Sequence, residues 1–316
     1  MIWLIGCKGM LGSEVAKQLD EKKLPWIGTD KDVDITNPQA LENFVNKIET
    51  ASYFPSKLHR ADRKIQWIIN CAAYTEVDKA EEDSELAQKL NTEGPINIAR
   101  VARRTGAKLI HVSTDYVFNG KVNEPYKEEE KKSPLSVYGK TKALGEDGIM
   151  KEMNTYYIIR SSWLYGFNGS NFVYSMTKAM NSQDCVRVVN DQIGSPTYAP
   201  DLAGAILKFI DKSDNAKSFF GKNSAPAYGI YNYSDEGEIS WYDFACEIYR
   251  LGRKFGRMSA ECKIEPCSSA DYGAKALRPS YSVLNNEKIF KALKVKIPEW
   301  KNSLEKFMKN DRFCAM

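Results

Sequence analysis

The sequence predicts an α/β fold, a doubly wound parallel sheet with helices on both faces and a smaller C-terminal substrate-binding lobe. Short apolar runs of strand length alternate with longer amphipathic stretches through the first half of the chain. A glycine-rich turn joins the first apolar run to the first helical stretch. Continuous apolar runs in this alternation indicate parallel strands that are buried on both faces.

The order of the elements is typical of such a sheet. Apolar runs predict strands at residues 2–5, near 28–30, and at 67–70, 108–113 and 156–160. Helical patterns lie between them, at about 10–22, at about 84–104 and around Tyr138. A polar stretch at about 49–65 predicts a surface insertion before the third strand.

The second half of the chain has a different pattern. Beyond about residue 165 the alternation weakens, and turn-rich segments such as residues 190–197 interrupt the helical stretches. We therefore expect residues 1–165 to form a dinucleotide-binding domain. Residues 166–316 are expected to form mainly a substrate-binding lobe, with some segments returning to the sheet.

Composition argues against several classes of protein. The 316 residues include 45 basic and 41 acidic side chains, and this balance of +4 does not predict a nucleic-acid surface. Seven cysteines lack C-x-x-C spacing, so no zinc site or disulfide framework is predicted. No apolar run approaches the roughly 18 residues that a membrane span needs. Met1 leads directly into the first strand, and we expect a cytoplasmic protein without a signal peptide.

Histidine chemistry is not expected. The chain has two histidines, His59 and His111, too few to suggest a histidine-based metal or catalytic site. His111 lies inside an apolar strand pattern, so we expect it to be structural.

The glycine-rich turn predicts a dinucleotide site of the Rossmann type. Glycines at positions 6, 9 and 12 permit a tight turn, a close approach of the backbone to a pyrophosphate and helix–sheet packing. The following helix N-terminus attracts negative charge. The spacing is G-x-x-G-x-x-G, which is typical of extended short-chain reductases. The predicted cofactor contacts here are Gly6, Gly9, Met10, Leu11 and Gly12.

Two further segments are predicted to contact the cofactor. Asp30 ends the second strand, where a carboxylate accepts a hydrogen bond from an adenosine ribose 2′-hydroxyl. This favours NADH, but the neighbouring Lys31 would tolerate a 2′-phosphate, so NADPH stays open. Asp34 and Ile35 are predicted to flank the adenine. After the third strand, small side chains let a dinucleotide pass close to the backbone, and the residues predicted there are Ala72, Ala73 and Tyr74.

The catalytic prediction rests on Tyr138 and Lys142, one helical turn apart on the same face. A neighbouring ammonium lowers the pKa of a phenol, which makes the phenol a better proton carrier at neutral pH. The same Tyr-x-x-x-Lys spacing also occurs at Tyr53 and at Tyr174. Only the copy at Tyr138 follows a strand that ends in a hydroxyl, Thr114, and this order selects it.

Several blocks together resemble the dTDP-4-dehydrorhamnose reductase family of the extended short-chain dehydrogenase/reductases. They lie in the order of that family at residues 113–120, 134–142, 160–166, 190–197 and 278–284. The blocks span almost the whole chain, so the resemblance is more specific than any single motif. The insertion around residues 50–64 is unusual for the family.

The resemblance implies reduction of the 4-keto group of dTDP-4-dehydro-L-rhamnose by NADH or NADPH. Tyr138 would give the proton, Lys142 would lower its pKa and hold the ribose, and Thr114 would orient the carbonyl. Tyr138 and Lys142 would both contact the cofactor. Thr114 and Asp115 would contact the sugar, and Trp163 would form a wall of its pocket. Some members use Mg²⁺ at a dimer interface, but no residue here is assigned to a metal. A monomer or a homodimer is expected.

Two alternatives stay open. One is another nucleotide-sugar 4-ketoreductase or epimerase, although a 4,6-dehydratase would have a glutamate where Tyr116 follows Asp115. The other is a non-catalytic subunit, because the regulatory β-subunit of methionine adenosyltransferase resembles the same reductases. An intact set of Thr114, Tyr138 and Lys142 favours catalysis.

Overall fold

A computed structural model describes residues 1–50, 64–216 and 225–313, together with the short segments 218–219 and 222–223. Fourteen strands occur within these residues, and we number them in chain order. They are β1 (Ile2–Ile5), β2 (Trp26–Thr29), β3 (Trp67–Asn70), β4 (Lys108–Thr114), β5 (Tyr156–Ser161), β6 (Leu164–Tyr165), β7 (Cys185–Val189), β8 (Ile193–Gly194), β9 (Thr197–Tyr198), β10 (Ser218–Phe219), β11 (Lys222–Asn223), β12 (Gly229–Asn232), β13 (Ile239–Ser240) and β14 (Lys263–Cys267).

Helices cover this framework throughout the described residues. They are α1 (Met10–Glu21), α2 (Pro38–Thr50), α3 (Val77–Ala80), α4 (Ser84–Gln88), α5 (Gly94–Thr105), α6 (Val137–Glu152), α7 (Phe172–Ser182), α8 (Ala199–Asp214), α9 (Trp241–Lys254), α10 (Ser269–Tyr272), α11 (Glu287–Leu293) and α12 (Trp300–Lys309). A π-helical turn at Lys89–Glu93 joins α4 to α5, and a 3₁₀ turn at Asp115–Val117 follows β4.

The central sheet of the described chain has six parallel strands in the order β12-β5-β4-β3-β1-β2. The order reverses beside β1, which is the crevice where doubly wound sheets bind their ligands. The strand β12 comes from the second half of the chain and pairs with β5 at one edge of the sheet. Because all six strands are parallel, their carboxyl ends lie along the same side of the sheet.

Alternate side chains of the strands enter two separate cores. On one face, Leu4 and Ile69 pack with α1, α8 and α11. On the other, Trp3 and Ile68 pack with α2, α5 and α6. This explains the uninterrupted apolar runs in the sequence, because every side chain of a strand covered on both faces is buried. The predicted doubly wound α/β sheet is confirmed.

A third core holds the smaller lobe. Helices α7, α9 and α12 enclose it, and its centre is aromatic, with Tyr165, Phe244 and Phe307 almost fully buried. The parallel pair β7 and β14 closes one side. This lobe thus has its own apolar core beside the sheet.

The structure refines two of the sequence-based expectations, the long helix and the insertion. The helix predicted at about 84–104 is two α-helices joined by the π-turn, because Pro95 at the start of α5 has no N–H for the hydrogen-bond ladder. Of the predicted insertion at 49–65, residues 49 and 50 belong to the end of α2, whereas residues 51–63, with the Tyr53 copy of the spacing, lie outside the described residues. Among the described helices, none is long and apolar enough to cross a bilayer.

A buried carboxyl joins the sheet to the smaller lobe. Asp235 follows β12 and is 0% exposed, with Oδ2 accepting the backbone N–H of Tyr198 at 3.1 Å. Its Oδ1 atom has no hydrogen-bond partner. Burial, followed by the charge of Asp201, raises the pKa of Asp235 well above its ordinary value. Such a group favours the folded state at pH values below its unfolded pKa, and this contribution is lost as pH rises through the folded pKa.

Asp235→Asn is expected to stabilise the protein at alkaline pH, because the amide keeps an acceptor for Tyr198 without a buried charge. One unit of pKa shift corresponds to about 1.4 kcal/mol, so we expect a gain in the free energy of unfolding of at least about 1 kcal/mol at pH 9 and little gain at pH 4. Denaturant unfolding at both pH values measures it. Asp184→Asn, at an exposed position, is the control. An equal change in the free energy of unfolding of both variants would show that the effect does not come from the buried carboxyl of Asp235.

Candidate active site

The glycine-rich turn after β1 leaves no room for side chains. Gly6 has a φ of 76°, and a Cβ atom there would lie 2.8 Å from the backbone nitrogen of Ala72. A Cβ atom on Gly12 would lie 2.0 Å from the carbonyl oxygen of Gly6. The first glycine therefore serves the turn and the third serves close packing, as a dinucleotide turn requires.

Helix α1 begins at Met10, and its N-terminal amides are the natural anion site of this turn. Gly9 at the N-cap provides no side-chain hydrogen bond to them. The side chain of Leu11 lies in the core, so its contribution to a ligand would come from the backbone. Free N–H groups and the helix dipole at this end fit a pyrophosphate.

The carboxylate of Asp30 lies beside the same turn. Its Oδ2 accepts the backbone N–H of Lys8 at 3.1 Å, while the backbone N–H of Asp30 donates to Asp32. The structure thus places Asp30 directly after β2 and beside the glycine turn, and its contact with a ribose hydroxyl stays a prediction.

Asp34 and Ile35 have structural roles in this region. Asp34 is exposed, and its Oδ1 accepts from the backbone and the hydroxyl of Thr36 in the turn before α2. Ile35 is 4% exposed and packs against Gly94 at the start of α5. Their contact with an adenine remains a prediction.

The loop after β3 is held by two asparagines. Asn70 accepts the backbone N–H of Ala72 at 3.0 Å, which turns the chain towards Gly6. Asn91 in the π-turn accepts the N–H of Tyr74 at 2.8 Å and donates to its carbonyl at 3.0 Å. The sequence analysis did not identify Asn91. The feature that could have indicated it is a polar residue inside a helical pattern, one turn before Pro95. Ala73, between these anchors, is partly exposed.

Helix α6 brings Tyr138 against the end of β4. Its N-cap is Ser136, whose hydroxyl accepts the N–H of Gly139 at 3.1 Å. A Cβ atom on Gly139 would lie 2.2 Å from the carbonyl oxygen of Tyr116. The glycine after the tyrosine therefore lets the first turn of α6 touch the loop after β4. The ring of Tyr116 meets that of Tyr138 edge-on, with centroids 5.8 Å apart.

Thr114, Asp115 and Tyr138 lie together at this edge of the sheet, and the side chains of Thr114 and Asp115 are hydrogen-bonded to each other. The hydroxyl of Thr114 donates to Oδ1 of Asp115 at 3.0 Å and accepts the backbone N–H of Tyr116 at 3.1 Å. Asp115 is 2% exposed, and its Oδ2 atom makes no close hydrogen bond, although the hydroxyl of Ser282 interacts with this carboxyl and lowers its pKa. A buried acceptor left unpaired is costly and marks a place for a ligand hydroxyl.

Burial determines the protonation of this group. Desolvation raises the pKa of Tyr138 to about 12, against a hydrogen bond with Thr114 that lowers it. Desolvation likewise raises the pKa of Asp115 to about 7. The phenol is thus protonated at neutral pH, as a proton donor must be, although the sequence predicted a pKa lowered by Lys142. The physical reason is loss of hydration on burial, to which the charge of Asp115 adds, and the helical neighbour Lys142 is not among the groups that shift the pKa of this phenol.

Lys142 points into the protein rather than along the helix surface. Its side chain is almost fully buried, and its ammonium donates to the carbonyl oxygen of Val112 at 2.7 Å. Burial lowers the pKa of Lys142 to about 8, while the charge of Glu146 and the thiol of Cys71 oppose this. The ammonium therefore lies against β4, within electrostatic range of Cys71 in the loop after β3.

A buried ion pair that the sequence did not reveal anchors the next turn of α6. Glu146 accepts from Arg160 Nε at 3.0 Å and from its terminal nitrogen at 2.8 Å, and both side chains are almost fully buried. Ser113 donates to the same carboxylate at 2.6 Å. The sequence feature that could have indicated Glu146 is its spacing, because Tyr138, Lys142 and Glu146 lie at i, i+4 and i+8 on one face of the helix.

Trp163 has a strained backbone. Its φ is 46°, which is rare for a large side chain and marks a position that its surroundings enforce. The indole stacks on Trp241 with centroids 3.5 Å apart, and a Cβ atom on Gly194 would lie 2.5 Å from it. Trp163 lies between the sheet and the smaller lobe, which fits the predicted wall of a pocket.

Arg278 links the smaller lobe to the cofactor side. Its guanidinium donates to both oxygens of Asp78 in α3, at 3.1 and 2.6 Å. Burial lowers the pKa of this arginine, but the hydrogen bond to Asp78 and the neighbouring Tyr116 outweigh burial, so the pKa is raised. The sequence placed Arg278 in a family block, but assigned it no role.

A family model described as the RmlD substrate binding domain matches residues 1–313. The chain belongs to this family of dTDP-4-dehydrorhamnose reductases. The reductase of Streptomyces griseus is 36% identical over 290 residues, covering 90% of this chain and 86% of that protein. A crystal structure of the Clostridium acetobutylicum reductase is 39% identical, with a TM-score of 0.83 over 97% of this chain and 98% of that one. The Bacillus anthracis reductase, solved in complex with NADP, is 34% identical, with a TM-score of 0.83 over 97% of each chain.

These comparisons confirm the predicted family, the fold class and an oxidoreductase of the dTDP-4-dehydrorhamnose reductase type. The roles of individual site residues stay predictions. Among the described residues, no group of three or more histidine, cysteine, aspartate or glutamate side chains is arranged to hold a metal ion.

Gly139→Ala is expected to reduce activity at least about tenfold, because the new methyl group meets the backbone of Tyr116 and must displace Tyr138. Gly148→Ala in the same helix is the matched control, since its methyl group meets only the side chain of Ile96. Steady-state rates and thermal melting of both variants test this. Equal rates in the two folded variants would show that the close approach at Gly139 does not position the phenol.

Proposed function

We propose that this protein reduces the 4-keto group of dTDP-4-dehydro-L-rhamnose to give dTDP-L-rhamnose, with a nicotinamide dinucleotide as reductant. The observation that carries the proposal is the group of Thr114, Asp115 and Tyr138 at the carboxyl edge of the sheet, beside the glycine turn. Membership of the reductase family supports the choice of sugar nucleotide. The unpaired, buried oxygen of Asp115 supports a polyhydroxylated ligand.

The residues of the glycine turn fit the cofactor, since a side chain at Gly6 or Gly12 would fill the space that the turn keeps open. The amides of α1 would hold the pyrophosphate and Asp30 the adenosine ribose. When bound, the nicotinamide supplies the hydride that adds to the sugar carbonyl carbon.

Tyr138 completes the reduction by giving its phenolic proton to the carbonyl oxygen. Its raised pKa keeps this proton in place until a substrate oxygen accepts it. Thr114 hydrogen-bonds the phenol and would orient the carbonyl. Lys142, one turn along α6, supplies positive charge that stabilises the phenolate left behind.

The substrate is tested by following oxidation of NADH and NADPH with dTDP-4-dehydro-L-rhamnose and a panel of other nucleotide keto-sugars. Turnover with the rhamnose precursor above the others supports the proposal. Preference for another keto-sugar would retain the chemistry and change the substrate. No turnover with any of them, together with stable binding to methionine adenosyltransferase, would favour the regulatory alternative.

Tyr138→Phe is expected to cut turnover at least about a hundredfold, the usual scale of general acid catalysis, while cofactor binding persists. The control is Tyr174→Phe, which alters the tyrosine of the same spacing in α7, within the core of the smaller lobe. Rates are measured under saturating cofactor, and binding is followed by nicotinamide fluorescence. Near-normal turnover by Tyr138→Phe would remove this phenol from the mechanism.

Asp30→Ser is expected to shift preference towards NADPH, because it removes a carboxylate next to the ribose that would repel a 2′-phosphate. The ratio of kcat/KM for NADPH to that for NADH should rise at least about tenfold, which is about 1.4 kcal/mol. Asp184→Ser, an exposed change just before β7 in the smaller lobe, is the control. An unchanged ratio in Asp30→Ser would place the ribose elsewhere.

A further inference from the structure

The strand beneath the active site carries a histidine that the proposed reaction does not use. His111 lies in β4 and is 0% exposed, with Nε2 at 3.4 Å from the ammonium nitrogen of Lys142. Its other ring nitrogen, Nδ1, lies 3.0 Å from the side-chain nitrogen of Asn70. Asn70 and His111 are paired neighbours on adjacent strands.

The orientation of Asn70 is fixed by a second hydrogen bond. Its Oδ1 accepts the backbone N–H of Ala72 at 3.0 Å, so its NH₂ group must face His111. An amide nitrogen only donates, and therefore Nδ1 of the imidazole must be the acceptor. A neutral ring then carries its hydrogen on Nε2, the nitrogen that faces Lys142.

This tautomer prevents a hydrogen bond from the ammonium of Lys142 to the imidazole. An N–H group on Nε2 cannot accept a hydrogen bond, so the ammonium must find its acceptors in directions away from the ring. The carbonyl oxygen of Val112, at 2.7 Å, takes one ammonium hydrogen. The other charged or titratable groups that act on Lys142 are Glu146 from its own helix and Cys71 from the loop after β3.

We propose that Asn70 and His111 are positioning residues for Lys142, holding its ammonium on the carbonyl of Val112 and leaving its remaining N–H groups for the phenol and the cofactor. The proposal rests on the proposed reductase function and deepens it. Asn70 also shapes the loop at Ala72, so the same residue connects the cofactor loop to the lysine.

Burial supports a permanently neutral imidazole. Desolvation, and then the charge of Lys142, keeps the pKa of His111 well below its ordinary value. His111 therefore acts as a fixed dipole rather than as a proton carrier over the working pH range.

The tautomer is tested directly by nitrogen NMR of the imidazole groups. His59 and His111 are the two histidines of the chain, so the His59→Gln variant leaves the signals of His111 alone. We expect a protonated Nε2, an unprotonated Nδ1 and no titration between pH 5.5 and 9. A protonated Nδ1, or titration near pH 6.5, would overturn the proposal, and neither result depends on turnover or on the identity of the sugar.

The functional link is tested with Asn70→Asp, which keeps an acceptor for Ala72 but reverses the tautomer. A carboxylate accepts from Nδ1, so Nε2 becomes an acceptor for the ammonium of Lys142. We expect the alkaline limb of the kcat profile to move up by at least about one pH unit relative to the unaltered protein. The shift should vanish in the His111→Gln background, and a shift that persists there would show that His111 does not transmit it.

Removal of the ring gives the third measurement. His111→Leu should weaken cofactor binding and lower kcat, each at least about tenfold, with His111→Gln restoring part of both. Thr177→Val, a buried polar change in α7, is the control for general loss of packing. Cofactor binding by fluorescence requires no sugar turnover, so failure of the substrate assignment leaves this result readable. Normal binding and kcat in a folded His111→Leu variant would refute the positioning role.

Discussion

The buried pair of Glu146 and Arg160 fixes helix α6 on the sheet, and the position of the reacting phenol depends on it. The carboxylate lies between Ser113 on β4 and Arg160 on β5, which are register partners. Removing one member of such a pair leaves a buried charge at a cost of about 3–5 kcal/mol. Since Glu146 lies two turns beyond Tyr138 on the same face, the ion pair sets the rotation of the helix about its axis and thus the direction of the phenol.

Close backbone approaches at two glycines also fix the position of helix α6. The small residues of α6 allow the helix to touch the loop after β4 at Gly139 and the π-turn at Gly145, where an added Cβ atom would lie 2.2 Å from the carbonyl oxygen of Asn91. Asn91 in turn holds the loop that carries Tyr74. The cofactor loop and the catalytic helix are therefore positioned by the same irregular turn, which is a common use of π-helical segments.

Local patterns predicted most of this fold, and long-range contacts account for what they missed. The alternation of apolar runs and helical stretches identified the central strands, because burial on both faces leaves a direct mark on composition. Glycine spacing predicted a cofactor turn at the start of α1, and the order of Thr114 and Tyr138 selected α6 as the predicted catalytic helix. The partners of Glu146, the clamp at Asn91 and the strained backbone of Trp163 arise from residues far apart in the chain, which no local spacing encodes.

The same distinction explains why the predicted pKa of Tyr138 had the wrong direction for the structure described here. Helical spacing correctly placed Lys142 four residues on, but spacing says nothing about hydration. The ammonium donates to Val112 and interacts with Cys71 in the loop after β3, while desolvation dominates the pKa of the phenol. For a reductase this arrangement suits the direction of proton flow, because a donor has to hold its proton until hydride transfer creates a basic oxygen. A stabilising charge is needed chiefly after that step, when the phenolate has formed.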